Sequence, residues 1–293
     1  MKQKTLALQQ IYREGAARLE KAGIADAAQD AWLLLSHTAG ISKAFYYGHP
    51  EKELSEEDAE RYFAYIARRS LRVPLQHITG EQEFMGYSFL VNEHVLIPRQ
   101  DTEILVEEAL KLLKPGMRIL DLCTGSGCIL LSLLKKAGEL KPGGMQSEPC
   151  QGIGTDISKK ALAVAVKNAE RLGIHAEFIQ GDLFERAEGS FDMILSNPPY
   201  IPTEVIKGLQ DEVRLYDPYI ALDGKEDGLY FYRKIIRNSI NYIKNNSYLL
   251  LEIGCGQGEA VTALLRNAGY EDIRVKKDLA GLDRVVISRY NGN

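Results

Sequence analysis

The chain is poor in tryptophan and cysteine and has no long apolar run, and each scarcity removes a class of answer. Its 293 residues include one tryptophan and four cysteines. Cys123, Cys128, Cys150 and Cys255 contain no C-x-x-C pair and have no histidine at ligand spacing, so zinc is not expected. They read as buried small residues of a reducing compartment. No apolar stretch approaches the roughly eighteen residues needed to cross a bilayer. The opening residues, MKQKTLALQQIYREGAARLEKAG, lack the apolar centre of a signal peptide, and Glu14 and Glu20 disfavour a transit peptide. A cytoplasmic chain without a membrane partner is expected. Positive charge is not in excess either: 36 Lys and Arg face 40 Asp and Glu, for a net charge of −4. Proteins that live on nucleic-acid backbone usually carry a strongly basic face, so no direct nucleic-acid partner is expected. Arg68, Arg69 and Arg72 form a small basic cluster that reads as a solvated helix face.

Hydrophobic periodicity divides the chain. Residues 1–78 show helical spacing only, as in Leu6, Ile11, Ala16, Leu19 and Ala22, with further helical segments over Ala27–Leu35 and Ser55–Leu71. Ser55 and Asp58 make a helix start of the S-x-x-D kind. Residues 79–100 read as a linker holding a short hairpin around Glu83–Phe89. From 101 to 293, strands and helices alternate. Strands are expected at Arg118–Leu122, Ile153–Asp156, Ala176–Gln180, Phe191–Ser196, Tyr248–Ile253, Asp272–Lys276 and Arg284–Ser288. Helices are expected at Cys128–Lys136, Ser158–Leu172, Gly228–Ile243 and Glu259–Ala268. That alternation predicts an α/β fold, a parallel sheet covered on both faces. Lys141–Gln151, rich in proline, glycine and polar residues, reads as a surface loop.

Asn197-Pro198-Pro199-Tyr200 is the most informative tetrapeptide. It follows the apolar run Phe191–Leu195, and so falls at the carboxyl edge of the expected sheet. The Asn197 side-chain oxygen and the Pro198 carbonyl are two acceptors. Two consecutive prolines, each with a fixed φ and no N–H, hold them stiffly. Tyr200 adds a flat ring. Such a set suits a planar –NH2 group, either an amide or an exocyclic base amine, although Asn-Pro alone is also a common turn.

Upstream, Asp121-Leu122-Cys123-Thr124-Gly125-Ser126-Gly127 ends the first expected strand and runs into a helix. Its glycines let backbone approach a ligand closely. The pattern is neither G-x-G-x-x-G nor a P-loop, so pyrophosphate is not the obvious guest. Asp156 ends the second strand, where a carboxylate can accept from both ribose hydroxyls. Gly181-Asp182-Leu183-Phe184 ends the third and offers a polar group with apolar surface for a purine. A nucleoside without bridging phosphates fits, S-adenosylmethionine being the common example. The plainer alternative is that each acid merely caps the next helix.

These residues resemble class I S-adenosylmethionine-dependent methyltransferases, and more closely the HemK/PrmC family of protein-(glutamine) methyltransferases. The resemblance runs over nearly the whole chain. It includes Ile97–Glu103, DLCTGSG, Asp156-Ile157-Ser158, Gly181-Asp182 and NPPY. It continues through Asp217–Gly224, Asp227-Gly228-Leu229, Leu251–Gly254 and Asp278–Arg284. Where the family usually has Gly, Pro-Glu, Glu and Gly, this chain has Cys123, Gln100-Asp101, Asp217 and Lys225.

The resemblance implies a Rossmann-like, mostly parallel seven-stranded sheet behind a small helical N-terminal domain that docks the substrate. It implies methyl transfer from S-adenosylmethionine, leaving S-adenosylhomocysteine, to the glutamine side chain of the Gly-Gly-Gln motif of class I peptide chain release factors. Asn197, Pro198 and Tyr200 are the expected catalytic residues, with Pro199 completing the substrate site. Asp121, Cys123, Thr124, Gly125, Ser126, Gly127, Asp156, Asp182, Leu183 and Asn197 are the expected cofactor contacts. No metal is required, since a sulfonium methyl is already activated. None of His37, His49, His77, His94 and His175 is expected to be catalytic. NPPY also occurs in enzymes that methylate adenine or guanine amines, which stands as the alternative function. A scaffold that binds a partner without catalysis would be expected to have lost its glycine turn or NPPY.

Overall fold

The computed structural model describes residues 7–139 and 148–292. The chain forms two compact units: Met1–Gly80 with Gln210–Tyr216, and Glu81–Leu209 with Asp217–Asn293.

The first unit is helical, with α1 (Leu8–Lys21), α2 (Ala27–Ala39), α3 (Lys43–Gly48), α4 (Glu56–Ser70) and α5 (Leu75–Thr79). Leu8, Ile11, Gly15 and Leu19 are the buried stripe of α1. Ala16 and Ala22 are only half-buried, and Leu6 lies outside the described residues. Gly15 is there because Tyr62 of α4 fills its side-chain space: a Cβ would stand 1.9 Å from the phenol oxygen. Tyr62 is fully buried and donates to the Ala31 carbonyl at 3.3 Å. Ser55 caps α4 by accepting from the Asp58 N–H at 3.1 Å, as its spacing predicts. Helix α2 runs one turn beyond the expected Leu35 and stops at left-handed Gly40.

The basic cluster is a solvated face only in part: Arg68 is exposed, Arg72 half-buried. Arg69 is buried, and its Nε donates to Asp30 of α2 at 2.7 Å. Arg69 and Arg72 both reach Glu212 Oε1, at 3.2 and 3.3 Å. Glu212 comes from the segment 210–216, which joins this unit far along the sequence. Local charge patterning could not foresee those partners.

The second unit begins with the hairpin β1 (Glu81–Phe84) and β2 (Tyr87–Leu90), turned by Met85 and Gly86, both at positive φ. Then come α6 (Gln100–Leu112), β3 (Arg118–Leu122), α7 (Cys128–Glu139), β4 (Gln151–Asp156), α8 (Lys159–Leu172), β5 (Glu177–Gln180) and β6 (Phe191–Ser196). Short helices α9 (Thr203–Ile206), α10 (Asp211–Tyr216) and α11 (Tyr219–Leu222) occupy the proline-bearing connection, α10 lying in the first unit. The chain closes with α12 (Tyr230–Ser239), β7 (Ile243–Glu252), α13 (Gly258–Asn267), β8 (Tyr270–Lys277) and β9 (Asp283–Tyr290).

Three expectations need correction. The helix expected to reach Ile243 ends at Ser239, because Ile243 already pairs with Phe191 in a ten-residue β7. Gln151 belongs to β4 rather than to a loop; of the expected loop, residues 141–147 lie outside the described residues. Only Cys128 of the four cysteines is buried, Cys255 being exposed and Cys123 and Cys150 half-buried.

The sheet order is β5-β4-β3-β6-β7-β9-β8, with β9 antiparallel to β7 and to β8 and the other pairings parallel. Central strands are buried on both sides, so they read as apolar runs. Leu120, Leu122, Ile194, Leu249 and Leu251 pack on one face with Tyr232, Ile236 and Val261. Ile119, Met193, Leu195 and Leu250 pack on the other with Leu105, Ile129 and Leu133. From β3 the chain winds outward to β4 and β5, then returns to place β6 on the other side of β3. The order therefore reverses at β3, and a crevice opens beyond its carboxyl end, where doubly wound sheets hold their ligands.

Candidate active site

That crevice is a cavity walled by Cys123, Thr124, Gly125 and Ser126 after β3, Asp156 at the end of β4, Asp182 and Leu183 after β5, and Asn197 and Pro199 after β6. A larger cavity, about 770 Å³, lies at the opposite end of the strands beside Arg118, Gln151 and Glu177. Those residues begin strands, so it is not where such a sheet holds its ligand.

The glycine turn is shaped by hydrogen bonds on both sides. Thr124 donates its hydroxyl to Asp121 Oδ2 at 2.6 Å and its N–H to the Thr155 carbonyl at 3.0 Å. Gly125 and Gly127 take φ of 55° and 78°. Cys123 has φ 58°, a left-handed conformation that suits glycine better than a residue with a Cβ. Asp156 ties the turn to the second strand: Oδ2 accepts from Gly125 N–H at 2.9 Å and Oδ1 from Ser158 N–H at 2.8 Å. Burial raises its pKa, and those two N–H groups pull it back. A half-buried carboxylate facing a backbone cradle with no Cβ at Gly125 suits the ribose hydroxyls of a nucleoside. The residues present therefore fit S-adenosylmethionine.

Not every expected contact faces the cavity. Asp121 is fully buried behind the turn, pushed up to about 7 by burial, with Thr124 lowering it and Asp156 raising it. Gly127 sits under α7, where a Cβ would meet Leu131 and Ala165 at 3.1 and 3.2 Å. Phe184 turns into the core and stacks on Tyr242 with centroids 4.8 Å apart, so the apolar surface beside Asp182 is Leu183 instead. Asp182 also pairs with Lys234 at 2.6 Å.

Within NPPY, Asn197 and Pro199 line the cavity, whereas Pro198 and Tyr200 are not on its wall. The Asn197 amide nitrogen donates to the Thr102 hydroxyl at 3.4 Å. Tyr200 is held from beneath: its hydroxyl donates to Glu252 Oε1 at 3.5 Å. Burial first, then the Glu252 charge, pushes the phenol up to about 12, against Arg99 and Arg284. Ile201 and Gly224 exchange backbone bonds with the segment after NPPY, Ile201 N–H to Leu222 and Gly224 N–H to Ile201. A Cβ on Gly224 would stand 2.7 Å from the Tyr200 carbonyl carbon, and one on Gly228 2.4 Å from its oxygen. Glycine in Asp217–Gly224 and Asp227-Gly228-Leu229 thus serves close approach of backbone to Tyr200.

Several wall residues carried no chemical motif of their own: His94, Arg99, Thr102, Pro218, Ile220, Ala221 and Phe231. Arg99 pairs with buried Asp217 at 3.4 Å, joining the segment before α6 to the one before α11. Burial lifts Asp217 to about 6, and the Arg99 guanidinium opposes that rise. The signal for Arg99, Thr102, Pro218, Ile220 and Ala221 lay in the resemblance of Ile97–Glu103 and Asp217–Gly224, not in residue type, and His94 and Phe231 carried none. Among the described residues no cluster of His, Cys, Asp or Glu could hold a metal ion, and no helix is long and apolar enough to cross a membrane.

A seven-stranded, mostly parallel sheet whose order reverses at β3 and which inserts an antiparallel β9 between β7 and β8 is the class I methyltransferase fold. A methyltransferase of Pyrococcus furiosus shares the architecture, at 15% identity over 81% of this chain and 100% of its own, with a TM-score of 0.52. Residues 113–250 match the family described as "Methyltransferase domain", and residues 10–80 match "PrmC N-terminal domain". The release factor glutamine methyltransferase of Geobacter sulfurreducens is 40% identical over 272 residues, 92% of each chain. That of Caulobacter vibrioides is 40% identical over 292 residues, 98% of each. The chain belongs to the release factor glutamine methyltransferase family.

Proposed function

We propose that this protein transfers a methyl group to the side-chain amide nitrogen of the Gly-Gly-Gln glutamine in peptide chain release factors. The observation that carries the reading is Asn197 on the wall of the cavity beside the glycine turn, in a chain related over nearly its whole length to release factor glutamine methyltransferases. S-adenosylmethionine, when bound, supplies an electrophilic sulfonium methyl. Cys123–Ser126, Asp156 and Leu183 would hold it, the carboxylate taking the ribose hydroxyls and Leu183 the purine face.

An amide nitrogen is a weak nucleophile because its lone pair is delocalised. The contribution of the protein is therefore position and charge stabilisation. The Asn197 side-chain oxygen and the Pro198 carbonyl accept the two N–H bonds of the acceptor, orienting its nitrogen and supporting the positive charge that develops there. Tyr200 is proposed to bear on the flat amide. The proton departs to water after transfer. The helical unit is the proposed docking element for the factor.

The test is transfer from methyl-labelled S-adenosylmethionine to an unmethylated release factor, with the labelled residue located by peptide mass spectrometry. Label on the glutamine of Gly-Gly-Gln supports the reading. Label on another residue, or on DNA or RNA in parallel reactions, overturns it.

A further inference from the structure

Two walls of the cofactor cavity come from parts of the fold that sheet pairing does not join. One is the glycine turn Cys123–Ser126, which follows β3 of the seven-stranded sheet. The other is an irregular run after β2, contributing His94, Val95, Leu96, Pro98 and Arg99, and β2 belongs to the separate two-stranded sheet. Their spacing decides whether a nucleoside fits between them. Something other than a strand ladder must set it.

Asn168, on α8, meets this need. It is fully buried and is not on the cavity wall. Its Oδ1 accepts from the Leu90 N–H at 2.7 Å, and its Nδ2 donates to the Leu90 carbonyl at 3.1 Å. The side-chain amide thus pairs with both backbone groups of Leu90, as a neighbouring strand would. Nδ2 also donates to the Ser126 carbonyl at 2.9 Å. Both donors of the amide are therefore used, and its direction is fixed by three backbone partners. Turned over, it would set N–H against N–H and its oxygen against two carbonyls.

Leu90 is the last residue of β2, and the chain runs from it directly into the 94–99 wall. Ser126 is itself a wall residue of the turn. Between the two, Val91 and Val95 pack on Ala161 and Val164 of α8, so one helix carries both the amide and the apolar seat of the irregular run. We propose that Asn168 is a positioning residue for the cofactor, setting the distance between these two walls and hence the affinity for S-adenosylmethionine without touching it. The inference rests on the reading of this cavity as the S-adenosylmethionine site, and its test separates the two.

The experiment compares wild type with Asn168→Leu, Asn168→Asp and Ser239→Ala. It reads Kd for S-adenosylmethionine by isothermal titration, stability in urea, and hydrogen exchange at the Leu90 amide. Leu keeps the shape of Asn and removes all three bonds. Asp keeps an acceptor for the Leu90 N–H but loses both donors, so the tie to Ser126 goes. Both should weaken cofactor binding by about fivefold to a hundredfold, the range of ordinary coupling between sites. Ser239→Ala is the stability control, since its buried hydroxyl bonds the Tyr270 hydroxyl at 2.7 Å and neither residue is on the cavity wall. It should lose stability and keep the wild-type Kd.

Coupling is reciprocal, so bound cofactor should in turn hold the tie closed. S-adenosylmethionine should slow exchange of the Leu90 amide in wild type, and much less in Asn168→Asp, which keeps that bond but not the link to Ser126. An unchanged Kd in both Asn168 variants, or an equal weakening in Ser239→Ala, overturns the positioning role while leaving the cofactor site standing. Wild type that does not bind S-adenosylmethionine overturns the reading of the cavity itself. If Asn168→Leu does not fold, the Asp variant and the wild-type Leu90 amide decide. A Leu90 amide whose exchange ignores the cofactor contradicts the proposal.

Discussion

The side-chain amide of Gln257 donates to the backbone carbonyl of Tyr200 at 3.0 Å, while its oxygen accepts from the Gly254 N–H at 2.9 Å. The same nitrogen reaches the Gly228 carbonyl at 3.3 Å. One side chain just before α13 thus joins the end of NPPY, the end of β7 and the loop leading into α12. Gln257→Leu removes both polar ends and leaves these backbone groups unpaired, which should cost about 1–3 kcal/mol. Methyl transfer should fall more than cofactor affinity, since Gln257 touches the acceptor side only. Urea titration and steady-state kinetics on the purified variant check both.

Cys123 holds a left-handed φ of 58° in the turn after β3. For a residue with a Cβ that conformation costs roughly 1 kcal/mol. Cys123→Gly should therefore raise stability, by about 1 kcal/mol or somewhat less because glycine also loosens the unfolded chain. Cofactor affinity should persist, because the neighbouring hydrogen bonds of Thr124 and Gly125 are untouched. Calorimetric unfolding, with and without S-adenosylmethionine, measures both quantities.

Asp156 holds the Gly125 N–H and lies on the cavity wall. Asp156→Ala should weaken S-adenosylmethionine binding by about ten- to a hundredfold, the range for one charge-assisted hydrogen-bonding group. Isothermal titration calorimetry reads this directly. An unchanged Kd would remove Asp156 from the proposed cofactor site.

The Asp30–Arg69–Glu212 network makes the first unit sensitive to acid. Burial alone would raise Glu212, but its own backbone hydrogen bond and the Arg69 and Arg72 guanidiniums outweigh it and hold its pKa below the usual value. A lowered folded pKa gives stability that is present above the unfolded value, near 4.5, and lost as pH falls through the folded one. Glu212→Gln should thus lower the Tm at neutral pH, and the gap to wild type should close on acidification below that value. Asp30→Ala should cost about 3–5 kcal/mol, since it strips the closest partner from a buried guanidinium. Scanning calorimetry across pH tests both variants.

The alternation of strands and helices was readable because β3, β6 and β7 are buried on both faces and therefore appear as apolar runs. Asn197, Asp156 and the glycine turn could be found because their spacing places them at strand ends. What escaped was set by partners remote in sequence. Arg69 looked solvated until Asp30 and Glu212 met it, and Ile243 looked helical until it paired with Phe191. Phe184 looked like a ligand contact until Tyr242 stacked on it. Thr102 and Glu252 carry no local sign of their position, since a threonine in a first helical turn and a glutamate ending an apolar strand are ordinary residues. Only the sheet order brings them to Asn197 and Tyr200.

The most direct test of the central claim is single-turnover methyl transfer to an unmethylated release factor by Asn197→Ala, with cofactor affinity measured on the same preparation. The account predicts a loss of about a hundredfold to a thousandfold in rate, the range for removing a preorganised polar group from a transition state. It also predicts a Kd for S-adenosylmethionine that is largely unchanged. A variant that transfers the methyl group at near wild-type rate would show that the Asn197 oxygen does not hold the acceptor amide, and the clamp would have to be abandoned.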